Sequence, residues 1–332
     1  MKNILIVGCG FMGKTHGTAH KNNGNANIFA AEADKDCADA YAKEYNCPVY
    51  PNMSEALKNE DIDIIDICLP TFLHEEHALE ALASGKHVIL EKPMTLSLES
   101  AERIIAAAKG SKGMFMVAQA LRFWPEYAKT KEFMDDGVLG DISYMNAKRL
   151  AQHPNWSPWF RDPSRSGGGL FDLMMHDVDY ANHLFGLATT AYAVGHKNEI
   201  GAWNDVTASF EFSCGAYAVI ESQFNMTNGY PFSMDLRVMG DKGTIDFKFS
   251  AGFNLEDRDS AINSFVLYTA GGDPEQPEFE HPDAYEVELK YFVDCVEKGE
   301  KPTTITPDSS LNSMRMIDAV LRSLESGEKI IL

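Results

Sequence analysis

The sequence has little positive charge and no long apolar run. Its 29 Lys and Arg residues are outnumbered by 49 Asp and Glu residues, which gives a formal net charge of −20 at pH 7. Binding to nucleic acid or to anionic membranes needs a basic surface, so this charge argues against both partners. No apolar stretch approaches the roughly 18 residues that span a bilayer, and Gly8 and Gly10 interrupt the first apolar run before a signal peptide would be complete. We therefore expect a cytoplasmic protein.

Paired cysteines are also missing. The six cysteines are scattered, and no two of them have the CxxC spacing, which favours reduced thiols over a disulfide framework or a zinc site. The chain has no internal repeat and no low-complexity tract. With 332 residues it exceeds the usual size of one hydrophobic core. We predict two domains, residues 1–120 and residues 121–332.

The sequence does contain a glycine motif directly after a short apolar run. Ile4 to Val7 predicts a buried strand, and a segment that favours a helix follows the glycines. In a dinucleotide site such glycines form a tight turn, let the pyrophosphate approach the backbone and let the helix pack on the strand. Free N–H groups at the helix start then bind phosphate. The predicted phosphate-binding residues are Gly8, Gly10, Phe11, Met12 and Gly13.

Asp34 follows a second predicted strand, residues 27–33, about twenty residues after the last glycine. An acidic side chain at this point accepts hydrogen bonds from the adenosine ribose hydroxyls, and an Asp here also suits the N-cap of the next helix. The two roles are compatible. A carboxylate repels a 2′-phosphate and so favours NAD, whereas the adjacent Lys35 would pair with that phosphate and keeps NADP as the alternative.

Strands continue to alternate with helices up to residue 118. Residues 62–69, 87–91 and 114–118 predict strands, which is the pattern of a doubly wound parallel sheet. In the usual order of such a sheet, the strand at 87–91 lies beside the first strand. Lys92 would then emerge opposite the glycine turn, at the crevice where the cofactor crosses. The other interpretation of Lys92 is an ordinary surface lysine.

After residue 121 the pattern becomes rich in strands. The candidate strands between residues 191 and 268, several of them joined by turns such as Cys214-Gly215, predict a broad and mostly antiparallel sheet. The helices of one domain are too few to cover both faces of such a sheet. We therefore predict a homodimer or a homotetramer.

Residues 152–166 are rich in aromatic and charged side chains and predict a loop. Trp156 and Trp159 would cover the apolar face of a sugar ring, while Arg161 would bind its hydroxyls. Arg122, at the start of this half of the chain, is a further candidate for substrate binding. The alternative is that the tryptophans only anchor the loop on the core.

The helix predicted after Gly169 carries four titratable residues on one face. Asp172, His176, Asp179 and His183 follow the spacing i, i+4, i+7 and i+11. We interpret Asp172 and His176 as a wall of the active site and expect Asp179 and His183 to be structural. His and carboxylate also suit zinc or iron, but no further ligand cluster accompanies them in the sequence, so we predict no metal.

Several motifs occur together along the chain. They are Gly8-x-Gly10-x-x-Gly13 with His16, Pro70-Thr71-x-x-His74, Glu91-Lys92-Pro93, and Gly167-Gly168-Gly169-x-x-Asp172-x-x-x-His176-x-x-Asp179. This combination resembles the Gfo/Idh/MocA family, which is named for glucose–fructose oxidoreductase and inositol dehydrogenase. The likeness covers essentially the whole chain, since Tyr291-Phe292-x-x-Cys295 and Lys301-Pro302 continue it to the last helix.

The resemblance implies a Rossmann domain followed by an α/β domain with a large open sheet, and NAD(P)-linked oxidation or reduction of a sugar, inositol or related polyol. It gives the catalytic roles to Lys92 and His176, with Asp172 assisting, and it suggests a cis Lys92–Pro93 bond. His176 would be the base that takes the alcohol proton, and Lys92 would stabilise the developing alkoxide. The remaining cofactor-binding candidates are Pro70, Thr71, His74, Glu91 and Lys92, and the substrate-binding candidates are Arg122, Trp156, Trp159, Arg161, Asp172 and His176.

Two functions of other classes fit the same motifs. An NAD-dependent glycosidase, which resembles this family, oxidises its substrate only transiently and produces no net NADH. A non-catalytic sensor of NAD or sugar has no need of Lys92, Asp172 and His176 together. We therefore favour the dehydrogenase, with its particular substrate left open.

Overall fold

The computed structural model of the chain forms two compact units. The first consists of Met1–Phe123 with Pro282–Leu311, and the second consists of Trp124–His281 with Asn312–Leu332. The last part of the chain therefore contributes to both units, whereas the division predicted at residue 120 treats each domain as one continuous segment and stays a prediction. The residues described are 1–24, 26–58, 61–154, 157–251 and 261–332.

Strands and helices alternate over the first 123 residues. The strands are β1 (Lys2–Val7), β2 (Ala26–Ala31), β3 (Val49–Tyr50), β4 (Ile64–Ile67), β5 (His87–Leu90) and β6 (Phe115–Val117). The helices are α1 (Phe11–Asn23), α2 (Lys35–Tyr45), α3 (Met53–Ala56), α4 (His74–Ala83) and α5 (Leu98–Gly110), with 3-10 turns at Thr71–Leu73 and Ala120–Phe123.

After residue 123 strands dominate the middle of the chain, and two helices and a short strand end it. The strands are β7 (Ile142–Leu150), β8 (Ala188–Lys197), β9 (Trp203–Phe212), β10 (Tyr217–Gln223), β11 (Ser233–Gly240), β12 (Gly243–Ser250), β13 (Ile262–Thr269) and β14 (Ile330–Ile331). The helices are α6 (Pro125–Asp135), α7 (Pro163–Ser166), α8 (Met175–Phe185), α9 (Ala284–Lys298) and α10 (Pro307–Ser326). A 3-10 turn covers Pro158–Arg161 and a π-helical turn covers Leu170–Met174.

The first unit contains a parallel six-stranded sheet in the order β3-β2-β1-β4-β5-β6. β1 pairs with β2 on one side and with β4 on the other, and β4 pairs with β5. The prediction that the strand before Lys92 lies beside the first strand is therefore wrong. The two residues of β3 are too few to show an apolar pattern, yet β3 occupies the outer position. The strand at 64–67 consequently takes the place beside β1.

Apolar side chains from distant parts of the sequence fill the core of this unit. Ile4, Ile64 and Met116 from the sheet are fully buried in one cluster, and Leu289 and Phe292 of α9 belong to the same cluster. Burying a side chain of this size stabilises the fold by roughly 1.5–3 kcal/mol. Helix α9 is therefore part of the core of the first unit, although it lies near the end of the sequence.

The second unit contains an eight-stranded sheet in the order β13-β12-β11-β7-β10-β9-β8-β14. Neighbouring strands are antiparallel except β7 and β10, which are parallel. A turn at Cys214-Gly215 joins the antiparallel strands β9 and β10, as the sequence predicts, and a turn at Gly240-Asp241 joins β11 and β12 in the same way. The predicted fold class, a Rossmann-type parallel sheet followed by an α/β domain with a large and mostly antiparallel sheet, is confirmed. Among the residues that the structure describes, no helix combines the length and the apolar composition needed to cross a membrane.

Candidate active site

A tight glycine turn joins β1 to α1. Gly8 has a φ of +96°, a backbone conformation that other residues rarely adopt, and its N–H donates to the carbonyl oxygen of Ala31 at 2.9 Å. A Cβ atom at Gly13 would collide with the carbonyl oxygen of Gly8, so close packing of α1 on the turn requires glycine there. A Cβ atom at Gly10 would have no neighbour within 4 Å. The turn is therefore open at Gly10, where the dinucleotide motif needs room for phosphate.

The N-terminus of α1 has the features of an anion site. Within the described part of the chain, no side chain caps this helix at Gly10. Phe11 in the first turn is 66% exposed, which is unusual for a large apolar side chain. Met12 next to it is partly buried against the core. Uncapped N–H groups at a helix start bind phosphate, so Gly10, Phe11 and Met12 fit the pyrophosphate of a dinucleotide.

Two carboxylates lie at the carboxyl end of β2. Asp34 is exposed and caps α2, because its Oδ1 accepts the N–H of Cys37 at 2.9 Å. Glu32 accepts the N–H of Cys9 in the glycine turn and the N–H of Asp34, both at 2.9 Å. Glu32 was not among the residues predicted from the sequence, although it follows β2 directly. Lys35 is exposed at the start of α2.

The loops that follow β4 and β5 are joined by His74. This side chain is 1% exposed, and its Nδ1 lies 2.9 Å from the carbonyl oxygen of Pro93, while its Nε2 lies 2.8 Å from that of Leu69. Burial lowers the pKa of His74, so the neutral ring donates to one of the two carbonyls near pH 7. Thr71 in the same loop is buried. His74 therefore holds the loop after β5 against the Pro70-Thr71 turn.

Lys92 lies in the loop after β5 and is half-buried. Its backbone N–H donates to Oε2 of the buried Glu91 at 2.9 Å, and the Lys92–Pro93 bond is cis, as the resemblance implies. A Cβ atom at Gly8 would lie 3.0 Å from the side chain of Leu69. Within the first unit, the structure thus brings together the glycine turn, the turn that contains Pro70 and the loop that contains Lys92.

The glycines before α8 serve close packing within the second unit. The N–H of Gly169 donates to Oδ1 of Asn204 at 2.9 Å, and a Cβ atom at Gly168 would lie 2.8 Å from Cβ of Ala202. The chain thus lies so close to the start of β9 that a side chain at Gly168 would collide with it, which explains why glycine is needed here.

The segment after Gly169 is not a regular α-helix throughout. Asp172 lies in the π-helical turn, and His176 lies in the first turn of α8. The prediction of one regular helix is therefore wrong over its first turn, because a π turn contains more residues than an α turn and changes the relation between positions i and i+4. Both side chains are half-buried. Single π turns occur frequently at functional sites.

A buried ion pair fixes the start of α8. Arg149 of β7 donates from Nε and Nη2 to the two carboxylate oxygens of Asp177, at 2.9 and 3.0 Å, and both residues are buried. A bidentate pair of this kind sets direction as well as distance, so it anchors the backbone next to His176. Asp179 is also buried and accepts a hydrogen bond from Oγ of Ser313 at 2.7 Å, in agreement with the structural role predicted for it.

Arg122 lies in a different setting from the other predicted substrate-binding residues. It is 4% exposed, and its guanidinium donates to the carbonyl oxygen of Thr304 and to Oγ of Ser309, each at 2.7 Å. These bonds connect the end of the 3-10 turn after β6 to the segment before α10 and to the first turn of α10. Its role in substrate binding stays a prediction beside this structural role.

The segment predicted as a loop, residues 152–166, contains local helical structure. It contains the 3-10 turn at Pro158–Arg161 and the short helix α7. Each begins with a proline, a residue that favours the first position of a helix. Trp159 stacks on Phe160 with ring centroids 4.0 Å apart, and Arg161 is exposed. Trp156 lies outside the described residues.

Comparison with known proteins agrees with this geometry. Residues 2–119 match the family described as "Oxidoreductase family, NAD-binding Rossmann fold", and residues 127–246 match the "GFO/IDH/MocA C-terminal domain". Inositol 2-dehydrogenase of Rhizobium meliloti (strain 1021) is 26% identical over 342 residues, which cover 98% of this chain and 97% of that protein. 2,7-Anhydro-N-acetylneuraminate hydratase of Mediterraneibacter gnavus is 25% identical over 344 residues, which cover 99% and 89%.

The same fold occurs in solved structures. Levoglucosan dehydrogenase in complex with NADH and levoglucosan has a TM-score of 0.84 and 22% identity, with 99% of each chain covered. The family matches confirm both the predicted family and the predicted nicotinamide cofactor class, and the open turn at Gly10 is compatible with such a cofactor. The chain belongs to the Gfo/Idh/MocA family of oxidoreductases, with an NAD-binding Rossmann domain in its first 120 residues.

Proposed function

We propose that the chain is an NAD(P)-dependent dehydrogenase that transfers hydride between the nicotinamide cofactor and a secondary alcohol of a sugar, an inositol or a related polyol. The observation that carries the proposal is the junction of the glycine turn, the Pro70-Thr71 turn and the Lys92 loop at the carboxyl edge of the parallel sheet. The similarity to an inositol 2-dehydrogenase over nearly the whole chain supports a polyol as substrate.

The cofactor residues are assigned from their places in the first unit. Gly10, Phe11 and Met12 would hold the pyrophosphate at the N-terminus of α1. Glu32 and Asp34, which end β2 and begin the turn into α2, would meet the adenosine ribose, and their two negative charges favour NAD over NADP. Turnover with both cofactors tests this preference.

Oxidation of a secondary alcohol releases a hydride from carbon and a proton from oxygen. Nicotinamide, when bound, supplies the hydride acceptor. We propose His176 as the base that accepts this proton, because an imidazole accepts a proton near neutral pH. A positioned base typically raises the rate roughly 10²–10⁴-fold. Asp172 in the preceding turn orients that imidazole or binds a neighbouring hydroxyl. The ammonium group of Lys92 stabilises the negative charge that develops on the oxygen.

The experiment that tests this function follows NADH absorbance while the protein is incubated with NAD or NADP and a panel of inositols, aldoses and diols. Lys92→Ala and His176→Ala should each lower turnover by about 10²-fold or more, while the Kd for NAD, measured by calorimetry, changes by less than about threefold. Lys112→Ala and His196→Ala, at exposed positions of the same two units, serve as controls and should retain activity. Full activity in Lys92→Ala or in His176→Ala would contradict the assigned roles.

The second candidate function is a reaction on a sugar in which NAD is reduced only transiently, such as a hydration. The similarity to 2,7-anhydro-N-acetylneuraminate hydratase favours it. Hydration changes no net oxidation state, so an enzyme that oxidised its substrate only transiently would consume substrate without accumulating NADH. The NAD-dependent glycosidase considered above would behave in the same way. Product analysis beside the NADH assay separates both from a dehydrogenase, and a sensor would show neither NADH nor product.

We also infer a homodimer or homotetramer that forms through the exposed face of the eight-stranded sheet. The strand registers place Tyr217, Tyr144, Met239, Thr244 and Tyr268 in one row across five strands. Tyr217, Met239 and Tyr268 are 48%, 40% and 44% exposed, and the rings of Tyr144 and Tyr217 lie 4.8 Å apart. A row of this kind is an apolar patch that a partner would cover.

Charges beside this row are paired within the same face of the sheet. Lys148 lies 2.7 Å from Asp235, and Arg237 lies 2.8 Å from Asp246. A second copy would therefore contact an apolar row whose neighbouring charges are already paired. In a twofold dimer the same row of each copy would pack against the other.

Light scattering after size exclusion tests this assembly. The unmodified chain should elute as an oligomer, and Tyr217→Glu and Met239→Glu should both yield monomers, because each would bury an unpaired charge within the apolar row. Glu199→Ala, in the exposed turn between β8 and β9, is the control. A monomeric unmodified chain at micromolar concentration would contradict the inference.

A further inference from the structure

The interior of the first unit holds an imidazole between two carboxylates. His16 lies on α1, three residues after Gly13, and is 0% exposed. Its Nδ1 lies 3.0 Å from both oxygens of Asp66 in β4, and its Nε2 lies 3.0 Å from Oε1 of Glu91. His20, one turn further along α1, also contacts Asp66 through Nε2 at 3.1 Å. Helix α1 is therefore connected to β4 and to the end of β5, beneath the glycine turn, by buried side chains.

The surroundings of His16 favour a hydrogen on each ring nitrogen. Burial disfavours the charged ring, but the Asp66 carboxylate outweighs burial and raises the pKa of His16 well above its ordinary value. His16 and His20 in turn hold the pKa of Asp66 well below its usual range, although burial alone would raise it. His16, Asp66 and Cys68 place potential metal-ligand atoms within 4.8 Å of one another. A ring that donates from both nitrogens, however, has no lone pair for a metal.

Glu91 uses its two oxygens for different partners. Oε1 faces Nε2 of His16, and Oε2 accepts the backbone N–H of Lys92. Glu91 is 4% exposed, so its carboxylate needs a compensating donor, and His16 supplies one. The hydrogen bond between Oε1 and His16 fixes the orientation of the carboxylate, and in this orientation Oε2 accepts the backbone N–H of Lys92. The contacts thus form a continuous connection from α1 through His16 and Glu91 to the backbone of Lys92.

We propose that His16 is a positioning residue for Lys92: it clamps Oε1 of Glu91, and the clamp keeps Oε2 on the N–H of Lys92 and fixes the loop that presents the lysine side chain. The proposal rests on the function proposed above for Lys92. If His16 has this role, the position of Lys92 depends on the position of α1, the helix whose N-terminus is assigned to the pyrophosphate. His20 offers a matched control, because it is equally buried on the same helix and its hydrogen bond goes to Asp66 rather than to Glu91.

Amide side chains separate the two contacts of His16. In His16→Asn the amide nitrogen takes the place of Nδ1 and retains a donor for Asp66 but none for Glu91. In His16→Gln it takes the place of Nε2 and retains a donor for Glu91. Amide hydrogen exchange at Lys92, measured by NMR on the full chain without substrate, should accelerate about tenfold or more in His16→Asn and stay near the unmodified rate in His16→Gln.

The His20→Asn control removes one bond to Asp66 and leaves the clamp on Glu91 intact. It should lower the melting temperature, yet leave exchange at Lys92 within about twofold of the unmodified rate. Equal exchange at Lys92 in His16→Asn and His16→Gln would overturn the positioning role. An acceleration in His20→Asn as large as that in His16→Asn would also overturn it, because the effect would then be a general loosening of α1.

Turnover gives a second readout that a merely structural role would not divide in this way. In His16→Asn, kcat for the best polyol should fall about tenfold or more while the Kd for NAD changes by less than about threefold, and His16→Gln should recover most of the lost rate. A parallel loss of NAD binding and kcat in both variants would overturn the proposal.

The readouts also separate the failure of this proposal from the failure of the proposed function. If the unmodified chain turns over no polyol, the proposed dehydrogenase fails, but the exchange comparison still decides whether His16 clamps Glu91. If the chain is active and exchange at Lys92 does not respond to His16→Asn, the clamp alone fails. Should His16→Asn not fold, the unmodified chain still decides: the clamp requires an exchange-protected Nε2–H signal from His16, and the absence of that signal overturns it.

Discussion

Glu288 offers the sharpest test of the interior of the first unit. This residue of α9 is 0% exposed, its Oε1 accepts the backbone N–H of Gln119, and its Oε2 has no hydrogen-bond partner among the described residues. Burial raises the pKa of Glu288 well above its ordinary value, and the nearby Glu91 raises it further, while His16 opposes both. Glu288 is therefore expected to be protonated in the folded chain at a pH where it is ionised in the unfolded chain.

The sign and size of the effect follow from this difference in bound protons. Below the unfolded pKa, about 4.3 for Glu, both states hold the proton and no stability is lost. Above it the folded chain holds one proton more than the unfolded chain, so the free energy of unfolding falls by about 1.4 kcal/mol per pH unit until the folded pKa is reached. Glu288→Gln cannot ionise in either state. The stability of this variant relative to the unmodified chain should therefore grow by about 1.4 kcal/mol per pH unit over the same range.

Urea denaturation at a series of pH values from about 5 to 8 measures this slope. The amide group that Glu288→Gln introduces changes the hydrogen bonding by a constant amount, so the test is the change with pH and not the absolute difference. Glu297→Gln, at a side chain of α9 that is 43% exposed, is the control and should run nearly parallel to the unmodified chain. Parallel curves for Glu288→Gln would show an ionised Glu288 in the folded chain and refute the reasoning.

Two further predictions concern the glycine turn and the buried ion pair. Gly13→Ala should abolish NAD binding and lower the melting temperature, because its Cβ would collide with the carbonyl oxygen that begins the turn, whereas Gly10→Ala, whose Cβ meets nothing within 4 Å, should melt like the unmodified chain. Equal melting temperatures for the two variants would contradict this packing requirement. Arg149→Met should lower the free energy of unfolding by about 3–5 kcal/mol, because it leaves Asp177 as an uncompensated buried charge. Denaturant titration measures the loss, and Arg103→Met, at an exposed ion pair, is the control and should leave the free energy of unfolding nearly unchanged.

Features that depend on residues close in sequence could be predicted from it. The glycine turn after β1 is set by three glycines within six positions, and Asp34 caps α2 by accepting the N–H of Cys37, as the sequence suggests. β5 and β6 lie within the strands predicted at residues 87–91 and 114–118. In each case the period of the apolar residues and the capping residues agree on the same local structure.

Features that depend on distant residues could not be predicted in this way. Glu32 contacts the glycine turn only because β1 and β2 are parallel neighbours in register, and counting residues from the glycines pointed to Asp34 instead. The bidentate pair of Arg149 and Asp177 joins a strand to a helix, and neither residue carries a local signal of burial. The π turn that contains Asp172 leaves no mark on the periodicity, because it adds a single residue to one turn.

The contribution of α9 to the core of the nucleotide-binding unit has a consequence for synthesis on the ribosome. At about 5–20 residues per second, roughly 9–34 s separate the emergence of β6 from that of α9, which begins about 170 residues later. During this interval Leu289 and Phe292 have not yet been synthesised or are still in the tunnel. The apolar surface of the parallel sheet against which they pack is therefore exposed. Nascent chains arrested before α9 has left the exit tunnel should therefore be cleaved readily by added protease, and release of the completed chain should protect them.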